Sequence, residues 1–342
     1  MSLPEVHLVG GTCAEALRLA PVATAIRAQG RLTPVVLAGG ADPAAVARTF
    51  AAFGRAADVL LPATDDPAAT LRRLDQLWAL RTPAAVLLRG DHLAAALAAY
   101  WRRIPIMHLD AGRRSGSLGA ADTAEANRRL LAQVATLHLA ATPQAAMNLL
   151  DERVVAGDVL LTGGTAVDAA RALAALGGPS RPCRHPLVLV GVSAAHDEAV
   201  GTAVRRLNAE RPEVDVAAAA PLPYPERSRL LAEAYLVLTD DVDLAEEALA
   251  AGVPVLVPGD GSGHGEALDA GGAQAVEAEA GAVLASLTAL LESRLRRDSM
   301  VAAGSPYGDG LAADRVAQAT AALLGHGQFP EPMPVRPLIT TR

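Results

Sequence analysis

Two patterns of apolar residues alternate along the chain. Short runs of Val, Leu, Ile and Ala predict strands at 6–10, 35–38, 58–61, 85–88, 105–108, 136–140 and 158–161. Between them, apolar positions recur every three to four residues, predicting helices over 15–29, 43–53, 67–80 and 93–103. This rhythm is that of a parallel sheet with crossover helices. Residues 174–186, with two Gly and three Pro, read as a linker. The rhythm then restarts, with strands expected at 187–192, 214–218, 235–238 and 253–257 and helices at 199–210, 226–233 and 244–251. After a turn at 305–310 a last helix, 311–325, is expected to return to the first domain. The tail from Phe329, with four prolines, reads as extended. The expected organisation is thus an α/β protein with two Rossmann-like domains, 1–173 and 187–305, and a ligand cleft at the carboxyl ends of the strands.

Length agrees with two domains, since 342 residues exceed the roughly 150 of a typical one. Composition narrows the chemistry. Apolar residues make up 51% but aromatic ones only 3%, so the core is aliphatic and Ala-rich. Net charge is -7, and all 30 cations are Arg, with no Lys. That excludes a phosphate-loop lysine, a Schiff base and a lysine general base. A mildly acidic chain without a basic block points away from nucleic acid and anionic membranes. Cys13 and Cys183 cannot form a disulfide framework, and no His/Cys spacing suggests a metal. With no long apolar stretch and no basic leader, a soluble cytoplasmic protein is expected.

Candidate chemistry lies at predicted strand ends. Gly10-Gly11-Thr12 turns from a strand into a helix, either as a tight connection or as an amide cradle for phosphate, with Arg18 one turn along. Asp91 and Asp110 follow neighbouring strands, placed either to share a substrate as acid and base or, for Asp91, to cap a helix. Glu125 and Arg128 open a later helix, where Arg128 could bind an anion or face solvent. Asp240, Asp241, Asp243, Glu246 and Glu247 crowd the start of another, a place where acids complement the helix dipole. Residues 259–265 form a Gly-rich loop carrying His264, and His92 and His196 are further cleft candidates. His108 reads as a packed histidine.

In order along the chain, these residues resemble the non-hydrolysing UDP-N-acetylglucosamine 2-epimerase family, of glycosyltransferase-B-like fold. Gly11-Thr12-x-x-Glu15-Ala16, ending in Ala20-Pro21, resembles its GTRPEAIKMAP opening. Gly90-Asp91 resembles its GD strand end, and 108–112 its HVEAG. Residues 125–128 resemble the end of PEEANR, 162–169 TGNTVIDA, 239–248 TDSGGxQEEA, and 306–310 NPYGDG. The resemblance implies C2 inversion of a UDP-amino sugar by elimination of UDP to a glycal and re-addition, without NAD or metal. It implies Asp91, Asp110, Glu125 and Arg128 as catalytic candidates. Arg18, Arg113, Ser193, Asp241, Glu247 and His264 are the candidates for holding the nucleotide sugar, with Glu247 matching the Glu that holds the ribose. A homodimer is expected, as is a context in secondary metabolism such as antibiotic biosynthesis. The departures cluster at the diphosphate: the opening-motif Arg is Cys13, the HRREN His is Ser193, SGG is 241–243, and the Arg before TERPE is Gly259. A degenerate diphosphate pocket is therefore expected, with a catalytically inactive scaffold or regulatory partner as the alternative.

Overall fold

The structure is a computed structural model that describes residues 3–115, 123–176, 185–220, 222 and 224–335. The chain divides into two compact units, one of Met1–Ala169 with Gly308–Pro337, the other beginning at Ala170 and running to Tyr307.

In unit 1, β1 (Glu5–Gly10), α1 (Cys13–Gln29), β2 (Thr33–Ala38), α2 (Pro43–Ala52), β3 (Val59–Leu60), α3 (Pro67–Leu80) and β4 (Ala85–Arg89) alternate strictly. The alternation continues through α4 (Leu93–Trp101), β5 (Ile106–Ala111), α5 (Thr123–Val134), β6 (Leu137–Ala140), α6 (Pro143–Asp151) and β7 (Val159–Leu161). The strands form one parallel sheet in the order β3-β2-β1-β4-β5-β6-β7. Side chains alternate across it, as the two-residue period of a strand requires. Val6, Leu8 and Leu87 pack on one face with Leu19 and Ile26 of α1 and Phe50 of α2. Val9, Val86 and Leu88 pack on the other with Leu74, Trp78, Ala95 and Leu131.

Helix α7 (Ala166–Leu176) runs three residues into the expected linker 174–186; its residues 177–184, with Cys183, lie outside those described. Unit 2 follows with β8 (Leu187–Gly191), α8 (Asp197–Glu210), β9 (Asp215–Ala218), α9 (Tyr224–Glu233), β10 (Leu236–Thr239), α10 (Val242–Ala250), β11 (Val255–Pro258), α11 (Gly265–Ala270), β12 (Ala273–Val276), α12 (Ala280–Glu292) and α13 (Arg294–Ala303). Its parallel sheet is ordered β12-β11-β10-β8-β9. Leu189, Val237 and Val255 pack with α10, and Val188, Leu236 and Leu256 with α8 and α12.

The chain re-enters unit 1 at Gly308, and α14 (Ala312–Leu323) buries Val316, Ala317 and Ala321 in the core shared with α1. Asp309 fixes this return: its carboxylate accepts two bonds from Arg315, at 2.8 and 2.6 Å, and Arg315 also donates to the Thr162 carbonyl at 3.0 Å. Asp168 of α7 accepts the Ala313 amide at 2.9 Å, tying the start of α14 down. Of the predicted tail, residues 336–342 lie outside those described. No described helix is long and apolar enough to cross a membrane.

Candidate active site

At the carboxyl edge of the unit 1 sheet, the Gly10-Gly11-Thr12 turn is closed on itself. Thr12 Oγ1 accepts the Glu15 amide at 3.2 Å, and Glu15 Oε2 accepts the Gly11 amide at 2.6 Å. These two bonds close the tight strand-to-helix connection and engage the Gly11 and Glu15 amides.

On the adjacent strand, β4 ends in Arg89 and the Gly90-Asp91 turn. Gly90 has φ 73°, the left-handed region glycine enters without strain. His108, on the neighbouring β5, holds this turn from beneath by donating Nε2–H to the Gly90 carbonyl at 2.9 Å. His108 is fully buried, and burial pushes its pKa down to about 3, so the ring is neutral. Asp91 is half-buried at the turn, and His92 beside it lies over Gly11: a Cβ there would stand 3.0 Å from its Nε2.

Asp110, near the end of β5, is buried with φ 55°, left-handed backbone at a non-glycine residue, and the strand register shifts between Leu109 and Ala111. Such backbone costs of order 1–3 kcal/mol and clusters at functional sites. The twist aims the carboxylate at Arg89, whose Nε donates to Oδ2 at 2.7 Å. Burial alone would raise the Asp110 pKa. The charges of Arg89, Arg18 and Arg113, with the Arg89 hydrogen bond, hold it below the usual carboxylate value instead. Arg18 is itself fully buried.

Glu125, in the first turn of α5, is completely buried and ionised for a similar reason. Desolvation opposes its charge, but hydrogen bonds from Arg129 Nε (2.8 Å), the Ser115 amide (3.1 Å) and Arg128 Nη2 (3.0 Å) prevail. Arg114 adds charge at 3.9 Å while gripping Glu152 through two bonds of 2.8 and 2.6 Å. Arg128 is therefore turned onto Glu125 and not out as a solvated face. An open cavity of about 540 Å3 lined by Tyr100, Trp101 and Ile106 lies at the start of β5, away from these groups.

In unit 2 the carboxyl edge carries a second cluster. Asp240, just after β10, accepts the Ser193 amide at 2.8 Å, Ser193 Oγ–H at 2.5 Å and His196 Nδ1–H at 2.7 Å. Burial raises the Asp240 pKa, but these bonds outweigh it and keep the carboxyl ionised. Asp241 caps α10, accepting the Asp243 and Leu244 amides at 2.9 and 3.4 Å. Glu247, buried in α10, receives Arg227 Nη2 at 3.0 and 3.1 Å. His264 is buried, its Nδ1–H donating to the Ser262 carbonyl at 3.0 Å.

The structure thus gathers Arg18, Asp91, Asp110 and Arg113 at one edge of unit 1, with Glu125 and Arg128 in the adjoining arginine network. It gathers Ser193 with Asp240 in unit 2, and places Asp241 and Glu247 on α10. Sequence reasoning missed Arg89 as the partner of Asp110, His108 as the clamp on Gly90, Arg227 on Glu247, and the joining of His196 to Asp240. A signal existed for the first: Arg89 precedes Gly90-Asp91 and pairs in register with Leu109.

The sequence profile of the family described as UDP-N-acetylglucosamine 2-epimerase matches residues 45–181 and 184–321. A UDP-N-acetylglucosamine 2-epimerase of Yersinia pestis is 30% identical over 284 residues, covering 69% of this chain and 75% of that protein. Among solved structures, the S. aureus MnaA–UDP co-structure superposes with a TM-score of 0.89 at 24% identity, over 97% of this chain and 100% of that one. The UDP-N-acetylglucosamine 2-epimerase of Neisseria meningitidis bound to UDP-GlcNAc gives 0.84 at 24%, over 93% and 100%. The expected α/β class, with two Rossmann-like units of glycosyltransferase-B-like fold, holds. With the profile spanning most of its length, the chain belongs to the UDP-N-acetylglucosamine 2-epimerase family.

Proposed function

We propose that this chain is an enzyme that inverts C2 of a UDP-amino sugar by eliminating UDP and adding it back to the other face. The observation that carries this reading is the strained, ion-paired Asp110, a carboxylate kept charged away from water, with a second carboxylate, Asp91, in the turn that follows the neighbouring strand. Removing H2 needs a base, and re-addition needs a proton on the opposite face. Asp110, ionised by its arginine, suits the accepting role, and Asp91 serves the other face. Arg128, aimed by Glu125, stabilises charge at the sugar, while Arg18 and Arg113 add field at the same edge. In unit 2, Glu247, oriented by Arg227, takes the ribose hydroxyls; Ser193 and His264 line the same edge. The active form is a homodimer, which sedimentation would reveal.

One observation favours the second reading, a catalytically inactive homologue acting as scaffold or regulatory partner. Asp241 occupies with its own carboxylate the α10 amides that a diphosphate would use, making the pocket degenerate. Incubation with UDP-N-acetylglucosamine in deuterated water decides between them. Deuterium at C2 with formation of the C2 epimer supports the enzyme. Absence of exchange at saturating substrate supports the scaffold.

A further inference from the structure

Each of the two carboxylates at the unit 1 edge is held in its own way. Asp110 is gripped by its side chain, which accepts Arg89 Nε–H at 2.7 Å. Asp91 receives no hydrogen bond on its carboxylate among the described residues, so its aim is set by its backbone. That backbone is pinned on both sides. The peptide unit before Asp91 presents the Gly90 carbonyl, which accepts His108 Nε2–H at 2.9 Å. The peptide unit after it presents the Asp91 carbonyl, which accepts the Leu93 amide at 2.6 Å. With both planes fixed, the two dihedrals that aim the Asp91 side chain have little freedom.

The His108 contact bridges the end of the sheet. The ladder between β4 and β5 closes with Arg89 opposite Leu109, so Gly90 lies beyond its last pair. His108 stands opposite Leu88 and reaches along the strands to the Gly90 carbonyl. Its other ring nitrogen, Nδ1, is buried without a hydrogen-bond partner among the described residues. A leucine would fill similar space without that loss, so what histidine adds is one donor at one carbonyl.

We infer that His108 is a positioning residue for proton transfer: by holding the Gly90 carbonyl it sets the reach of the Asp91 carboxylate, while Arg89 sets that of Asp110. This rests on the epimerase reading above, in which the two carboxylates serve opposite faces of the sugar ring. Each face then has its own tether, and loosening one tether affects one face. A displacement of about 1 Å at a reacting group costs roughly 100-fold in rate.

The test uses the full chain with His108→Leu, His108→Gln and His108→Asn, and with His138→Leu as a matched control. His138 is buried like His108 and pairs with it in register from β6, one strand further from the turn. Inversion and deuterium uptake at C2 are followed in deuterated water with UDP-N-acetylglucosamine, at a temperature where each melting curve shows a folded chain. His108→Leu is expected to lower kcat roughly 100-fold while KM moves by less than about threefold. His108→Gln, whose amide nitrogen reaches the place of Nε2, is expected to recover most of that loss. His108→Asn, whose amide reaches only the place of Nδ1, is not. Because the Asp110 face keeps its tether, deuterium in the recovered starting sugar should fall less than formation of the inverted sugar. Lost packing alone would lower both in proportion and would not separate Gln from Asn. His108→Leu turning over within about threefold of the unaltered chain, or no worse than His138→Leu, overturns the inference and leaves the epimerase reading intact. If His108→Leu does not fold, equal turnover by His108→Gln and His108→Asn overturns it in the same way. An unaltered chain that shows neither inversion nor exchange at saturating substrate overturns the epimerase reading, and the positioning role with it.

Discussion

Arg89 and Asp110 meet from neighbouring strands, Nε to Oδ2 at 2.7 Å, and both side chains are more than nine-tenths buried. Each is the condition for the other's burial. Removing one partner of such a pair leaves a stranded charge and costs about 3–5 kcal/mol. Arg89→Met should therefore lower unfolding free energy by that order in urea melts. Asp110→Asn should also lower it, since it removes the buried countercharge 2.7 Å from Arg89.

Acid should unfold the protein early, through its buried histidines. The His108 pKa is pushed down to about 3 and that of His138 to about 4, in both cases chiefly by burial. The unfolded chain, with histidines near about 6.5, binds more protons than the folded one below that pH. Their stabilisation is present above about pH 6.5 and is lost as pH falls from there toward the folded values. Melting temperature should decline through this window before the carboxylates titrate. His108→Gln, which keeps a donor for the Gly90 carbonyl, should decline less; an unchanged slope would remove His108 from this role.

Asp91 separates chemistry from stability. It is half-buried at a turn that His108 already fixes, so Asp91→Asn should melt within a few degrees of the unaltered chain. If Asp91 serves one face of the sugar, the same variant should abolish deuterium uptake at C2. Full uptake would exclude it from proton transfer.

For Asp241 the expected change is a gain. Replacing it with Ser keeps an N-cap oxygen while removing a charge that opposes diphosphate by about 1–4 kcal/mol at 4 Å. Asp241→Ser combined with Val242→Gly and Asp243→Gly should bind UDP at least tenfold more tightly, most visibly at low salt. Tight, salt-insensitive binding by the unaltered sequence would show the pocket to be intact.

Every strand of the unit 1 sheet is legible in the sequence, because parallel strands buried on both faces write near-continuous apolar runs such as Ala85–Arg89. β12 is not, since Ala-Gln-Ala-Val after two glycines carries little β-branched signal. Helix α7 runs on through Leu176 because Ala and Leu are strong helix formers and the Gly and Pro of the linker begin only at Gly177. Strand ends were enough to place Asp91 and Asp110. Their partners were not readable, because the Arg89 contact depends on strand register and the His196 contact on two segments 44 residues apart.

The cap on α10 has one more consequence. Under the proposed diphosphate reading, Asp241 is a tethered competitor for the amides of Asp243 and Leu244. A phosphate group would then reach those amides only in the fraction of molecules whose first α10 turn has let that carboxylate go. Its observed affinity would be the intrinsic affinity reduced by that fraction. Ligand occupancy and fraying of a single helical turn would thereby be one equilibrium, and hydrogen exchange at those two amides would report on both.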